Sequence, residues 1–170
     1  MKLKSLRNIA SAALAILLTA TAVSAEPWKG QGLNWNHSSG WSIQIPTVAN
    51  PTVETTADDD ISISGKTMDY NAVFRCYTNK AEADLFESAL RKTLAESNIT
   101  FKPASTFEGV EWTCTAAEGT GKTKDFSAEV TIGQLAKGGK FLVFMTTSDL
   151  KDHDTVDPVL GEIVKGVHVK

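Results

Sequence analysis

The sequence is short of the groups on which most site chemistry depends. It has two cysteines and three histidines in 170 residues, and no acidic residue before Glu26. His37, His153 and His168 stand at no metal-ligand spacing from one another, which removes the common zinc motifs. No G-x-S-x-G elbow is present, so a nucleophilic serine of that type is excluded. Lys and Arg do not cluster, which argues against nucleic acid or anionic lipid as partners. Beyond the first 25 residues no stretch is apolar enough to span a bilayer, which takes about 20 predominantly apolar residues. No cysteine lies near position 25, so lipid anchoring through a bacterial-type cysteine is excluded.

What is present at the N-terminus is an export pattern. Lys2, Lys4 and Arg7 precede an apolar stretch that is densest from Ala12 to Leu18, and Val23-Ser24-Ala25 supplies small residues for cleavage. This order predicts a cleavable secretory signal over residues 1–25. The strongly apolar part is too short for a spanning anchor, and Ser and Thr dilute its far end, so no stable membrane insertion is expected after cleavage. The short basic start and alanine-rich core are of bacterial type, which points to a periplasmic or secreted protein. The signal holds three of the seventeen basic residues and none of the twenty acidic ones, leaving 14 against 20 and a formal charge of −6. The remaining 145 residues suit one domain, expected as an irregular arm over 26–40 and a folded unit over 41–170.

An even pair of cysteines in an oxidising compartment predicts a Cys76–Cys114 disulfide. Closing a loop of that length is worth about 4 kcal/mol in the chain-entropy account. The alternative is two buried thiols acting as small hydrophobes.

Periodicity places the elements. Trp41 to Ile45 and Ile61 to Ile63 alternate as strands, and Tyr70 to Tyr77 is strand-like with Ala72, Phe74 and Cys76 on one face. Asn79-Lys80-Ala81-Glu82 resembles a capping box, followed by a helical stripe of Leu85, Phe86, Ala89, Leu90 and Leu94, with Glu87 and Arg91 on the wet side. Val110 to Ala116 and Phe126 to Ile132 alternate, and Phe141 to Met145 is continuously apolar, as in a central strand covered on both faces. Glu118-Gly119-Thr120-Gly121 and Lys137-Gly138-Gly139 read as hairpin turns. Val156 to Val167 keeps helical spacing, with Asp157 as cap and Pro158 at the first position. The fold class is α+β: an antiparallel sheet of about six strands packed with two amphipathic helices.

Four constellations could carry chemistry. Ala116 to Thr123 imitates a phosphate loop, but a strand follows it where the mechanism needs a helix. Asp149, Asp152, Asp154 and Asp157, with His153 among them, could attract a hard cation. Their spacing is not that of an EF-hand, and capping of a helix N-terminus accounts for them, so no metal and no cofactor are expected. Asp58-Asp59-Asp60 reads as a solvated turn. Trp28 and Trp35 lie in a segment with little other apolar content. They either fold back as a lid over the sheet or stand exposed as partner-binding residues.

The order of elements resembles the superfamily of the extrinsic photosystem protein PsbP and its non-photosynthetic relatives. Gly40-Trp41-Ser42-Ile43-Gln44-Ile45-Pro46 is similar to their opening glycine-aromatic strand ending in proline. Phe141 to Met145 followed by Val156 to Val167 matches their closing apolar strand, linker and amphipathic helix. The proline-aromatic continuation often found after the first strand is absent here. The resemblance implies a central antiparallel sheet and non-catalytic binding or assembly roles, and it carries over no functional residue.

The leading expectation is an exported, non-catalytic protein that binds another envelope or secreted protein, as an accessory, inhibitor or immunity-type factor. The alternatives are a binder of a small apolar or sugar ligand between sheet and helix, which would need an apolar pocket with a few polar groups, and a hydrolase with a dispersed site.

Overall fold

The computed structural model describes residues 34–36, 40–46, 50–57, 60–108, 112–123 and 127–169. The signal, Trp28, His37, Asp58, Asp59, Val110 and Glu111 lie outside them.

The described elements run in the order β1 (Asn34–Asn36), β2 (Trp41–Gln44), β3 (Pro51–Ala57), β4 (Asp60–Gly65), β5 (Tyr70–Tyr77), α1 (Lys80–Glu96), β6 (Thr100–Phe101), β7 (Ser105–Glu108), β8 (Thr113–Lys122), β9 (Ser127–Lys137), β10 (Lys140–Ser148), α2 (His153–Lys165) and β11 (Val167–Val169). The large sheet is ordered β3-β4-β5-β10-β9-β8-β6, with β7 also on the outer side of β8, and a small sheet is ordered β1-β2-β11. All pairs are antiparallel.

Strand β10 lies inside the large sheet and divides the core. Leu142 and Phe144 join a cluster with the small sheet and α2, while Val143 and Met145 join a second cluster with α1. The large sheet is therefore the middle layer, with α1 on one face and α2 plus the small sheet on the other. Gln44 N donates to Gly166 O at 2.7 Å and Trp112 Nε1 donates to Val167 O at 2.8 Å, which ties the small sheet to the chain on either side of it.

Helix α1 begins as its sequence predicts. The Asn79 side chain accepts from Ala81 N at 2.9 Å and so caps one of the open amides. Its buried stripe is Ala83, Phe86, Leu90 and Leu94, whereas Leu85 is 73% exposed. Glu87 and Arg91 are not on a wet face. They pair across one turn at 2.8 Å, and Arg91 also donates to Ile132 O and Gln134 to Glu87, so the pair bridges helix to sheet.

The strands number eleven among the described residues rather than about six. The additional ones are short, or, like β3, carry no clean alternation. Pro51 starts β3, an edge strand, where a missing N–H is tolerated. Within the segment read as an irregular arm, Asn34–Asn36 pair with β2. Helix α2 starts at His153, four residues before the predicted cap, and Pro158 falls inside it. Val167 is not helical but pairs with Ile43 in the small sheet.

Glu118 to Gly121 is not a hairpin turn but the continuation of β8. Its glycines serve close approach instead. A Cβ at Gly119 would lie 2.7 Å from the Phe101 ring, and one at Gly121 would lie 2.7 Å from Asn98 O. The turn chemistry holds at Gly138 and Gly139, whose φ values of 58° and 77° close the β9–β10 hairpin.

The predicted disulfide is overturned. In register, Cys76 faces Leu142, Leu142 faces Leu135, and Leu135 faces Cys114. Two whole strands separate the thiols, so their α-carbons are about 14 Å apart at 4.7–4.9 Å per strand, against a bonding limit of about 7 Å. Both cysteines are thiols, and burial pushes that of Cys114 up to about 11. Thiol titration of the unreduced chain in denaturant should count two thiols, with Cys114 unreactive in the native state. A count of zero would contradict this strand order.

Candidate functional site

The sheet face under α2 is apolar at one end and polar at the other. Register puts Ala116, Gly133, Phe144 and Phe74 on one rung, Glu118, Thr131, Thr146 and Ala72 on the next, and Thr120, Glu129, Ser148 and Tyr70 on the one after. Helix α2 crosses this gradient, and its buried side chains are Val156, Val159, Leu160 and Ile163.

Between α2 and the sheet runs a groove of about 260 Å³. Ala116, Phe144, Thr131 and Thr146 line its sheet side. Leu160, Gly161 and Val164 line the helix side, and Asp157 and Lys165 bring opposite charges. Its size is just under the roughly 300 Å³ at which small-ligand pockets usually begin. Gly161 belongs to helix α2, and a Cβ built there meets nothing within 4 Å. Gly161 thus adds no side chain to the helix wall of the groove.

At the polar end Glu129, His153 and Asp157 converge. One donor atom from each lies within 4.8 Å of the others. His153 Nδ1 sits against Glu129 Oε2 and 3.7 Å from Asp157 Oδ1. His153 and Asp157 are four residues apart on α2, which puts them on one helical face. Burial holds the Glu129 carboxyl above the usual carboxylate range, an effect opposed by His153 and reinforced by Asp157 and Glu118.

The residues singled out from sequence are scattered. Of the four aspartates, only Asp157 reaches this cluster. Asp149 is buried and its Oδ1 accepts from Lys151 N at 3.1 Å. Asp152 stands at the N-cap of α2 without a side-chain cap bond and takes Lys151 Nζ at 2.7 Å. Asp154 is exposed in the first turn. Trp35 is 6% exposed and packs on Trp41 with ring centroids 5.0 Å apart, so it belongs to the core. Trp28 lies outside the described residues. Sequence reasoning missed Glu129, which alternation assigned to a wet face because the covering helix arrives from far along the chain. It also missed Gly161, whose signal was legible: a glycine inside a helical pattern with no turn to serve.

No family profile matches the sequence, and no curated protein does. Solved structures match the fold. Cyanobacterial PsbP (CyanoP) from Synechocystis superposes with a TM-score of 0.57 at 11% identity, over 91% of this chain and 99% of that one. LpqN of Mycobacterium tuberculosis, involved in cell envelope biogenesis, gives 0.54 at 10% identity over 81% and 89%. A Bacteroides thetaiotaomicron protein gives 0.57 at 11% identity over 83% of this chain and 49% of that one.

Proposed function

From its PsbP-like fold, we propose that the chain is an exported, non-catalytic binding protein whose site is the groove between α2 and the large sheet, taking a small amphipathic ligand. Gly161 carries the reading. Glycine inside a helix is about 0.8–1 kcal/mol less favourable than alanine, and here a Cβ would fit without clash. The chain accepts that cost at the place where a side chain would narrow the groove. The apolar lining from Ala116, Phe144, Leu160 and Val164 would hold the ligand body. The hydroxyls of Thr131 and Thr146 and the charges of Asp157 and Lys165 would orient its polar end. Such a mix of apolar wall and few polar groups is what small-molecule sites share. The secretory pattern in residues 1–25 supports export, and the fold it shares with LpqN, a protein of cell envelope biogenesis, is consistent with it.

Two substitutions test this. Gly161→Ala should raise stability by about 0.8–1 kcal/mol in urea unfolding. Gly161→Phe should fill the groove. Titration with the fluorescent apolar anion anilinonaphthalene sulfonate should show one site in the unmodified chain. That site should weaken at least about tenfold, or 1.4 kcal/mol, in Gly161→Phe. Equal binding by both chains, or none by either, would count against the groove.

A further inference from the structure

Beyond the groove, we propose that Glu129, His153 and Asp157 form a binding site for one divalent transition cation, with Zn²⁺ the best fit to the donor set. The three donor atoms already converge within 4.8 Å of one another, coming from the sheet and from one face of α2. A tetrahedral zinc with bonds of about 2.0–2.1 Å holds its donors about 3.3 Å apart, so His153 Nδ1 and Asp157 Oδ1, 3.7 Å apart, would close slightly, while His153 Nδ1 and Glu129 Oε2, now in direct contact, would separate to admit the ion.

An independent observation points the same way. Ser148 is 3% exposed, and its Oγ has no hydrogen-bond partner among the described residues. Ser148 lies directly opposite Glu129 across β10 and β9. Directly opposed residues project from the same face with Cβ atoms about 4.5–5.5 Å apart, so this orphaned hydroxyl opens into the corner that Glu129 occupies. His153 Nδ1 is in contact with Glu129 Oε2 from the helix side of the same corner.

The charges agree. Glu118, Lys102 and Asp157 are the other charged groups acting on Glu129 besides His153. Lys102 is engaged by Glu118 at 2.9 Å. Glu129 and Asp157 thus share one imidazole, which leaves negative charge in excess even when that imidazole is protonated. Calcium and magnesium take oxygen donors; one imidazole nitrogen with two carboxylates suits zinc and its first-row neighbours. Three protein donors leave a fourth position open, and one of them, Asp157, also lines the groove.

The test is calorimetric titration of the purified chain, freed of metal with a chelator and carrying no polyhistidine tag, with ZnCl₂. Binding should saturate at one Zn²⁺ per chain, and Zn²⁺ should raise the unfolding temperature. His153→Gln and Asp157→Asn should each weaken binding by more than the 10–100-fold typical of mere second-shell changes. Asp157 is half-exposed, so its isosteric variant keeps the test valid if another variant fails to fold. Asp154→Asn, which removes an exposed carboxylate of the same helix outside the cluster, should leave Zn²⁺ binding unchanged. Absence of saturable binding, affinity unmoved by both Asp157→Asn and His153→Gln, or an equal response to CaCl₂ would overturn the assignment.

Discussion

Trp41→Ala is expected to destabilise the chain by about 3–5 kcal/mol, in the range for removing a buried large aromatic. Trp41 is 1% exposed and lies in β2, the middle strand of the small sheet, where it pairs with Val169. Its ring meets that of Trp35 at 5.0 Å and 58°. Trp35→Ala should also be costly, because the residue is 6% exposed and its strand is held by β2 alone within the small sheet. Aromatic pairs of this geometry are coupled by about 0.5–1.5 kcal/mol beyond area. The double variant should therefore lose less than the sum of the two single ones by about that amount. Urea unfolding followed by tryptophan fluorescence measures all three. A loss below about 1 kcal/mol for Trp35→Ala would place Trp35 at the surface and restore it as a partner-binding candidate.

Phe144→Ala should cost a similar amount, about 3–5 kcal/mol, for a different reason. Phe144 lies on the central strand, 2% exposed, between Phe74 and Gly133 in register. Its ring is 6.1 Å from that of Phe74 and leans over Gly133, where a Cβ would come within 2.9 Å of it. Alanine would leave both the space above Gly133 and the sheet side of the groove empty. Because that void joins the groove, water can enter it, which favours the lower half of the range. Phe144→Leu, which keeps most of the volume, should cost less than about 1.5 kcal/mol if the neighbours repack. The shift should appear in the urea midpoint with the slope unchanged. At roughly 2–4 °C per kcal/mol for chains of this size, Phe144→Ala should lower the melting temperature by about 6–20 °C. A loss under about 1 kcal/mol would mean that the strand is not central.

The proposed site was poorly legible for reasons its residues display. Gly161 and Asp157 belong to a helix whose apolar stripe is visible, yet nothing local says that the stripe leaves part of the sheet uncovered. Glu129 alternates with Ala128 and Val130 on β9, and alternation identifies one buried face. It cannot report that α2, more than twenty residues later, half-buries the other. Asp149, Asp152 and Asp154 stood beside Asp157 as weak cation candidates only through closeness in sequence. The structure instead turns those three to their own backbone, to Lys151 or to solvent.

Local chemistry decided a definite part of this protein on its own. The Asn79 cap, the stripe from Phe86 to Leu94, the two-faced apolar run in β10 and the positive-φ glycines of the β9–β10 turn are set by neighbours within one or two turns. Periodicity reads those interactions directly. The order of strands is set elsewhere, by which buried faces fit when distant segments meet. Hence Cys76 and Cys114 point to the same face yet have two whole strands between them. Val167 leaves the helical pattern to pair with Ile43, and Trp35, isolated in sequence, finds Trp41. Glu129, His153 and Asp157 meet for the same reason: one comes from a strand and two from a helix, and only tertiary packing brings those surfaces into contact.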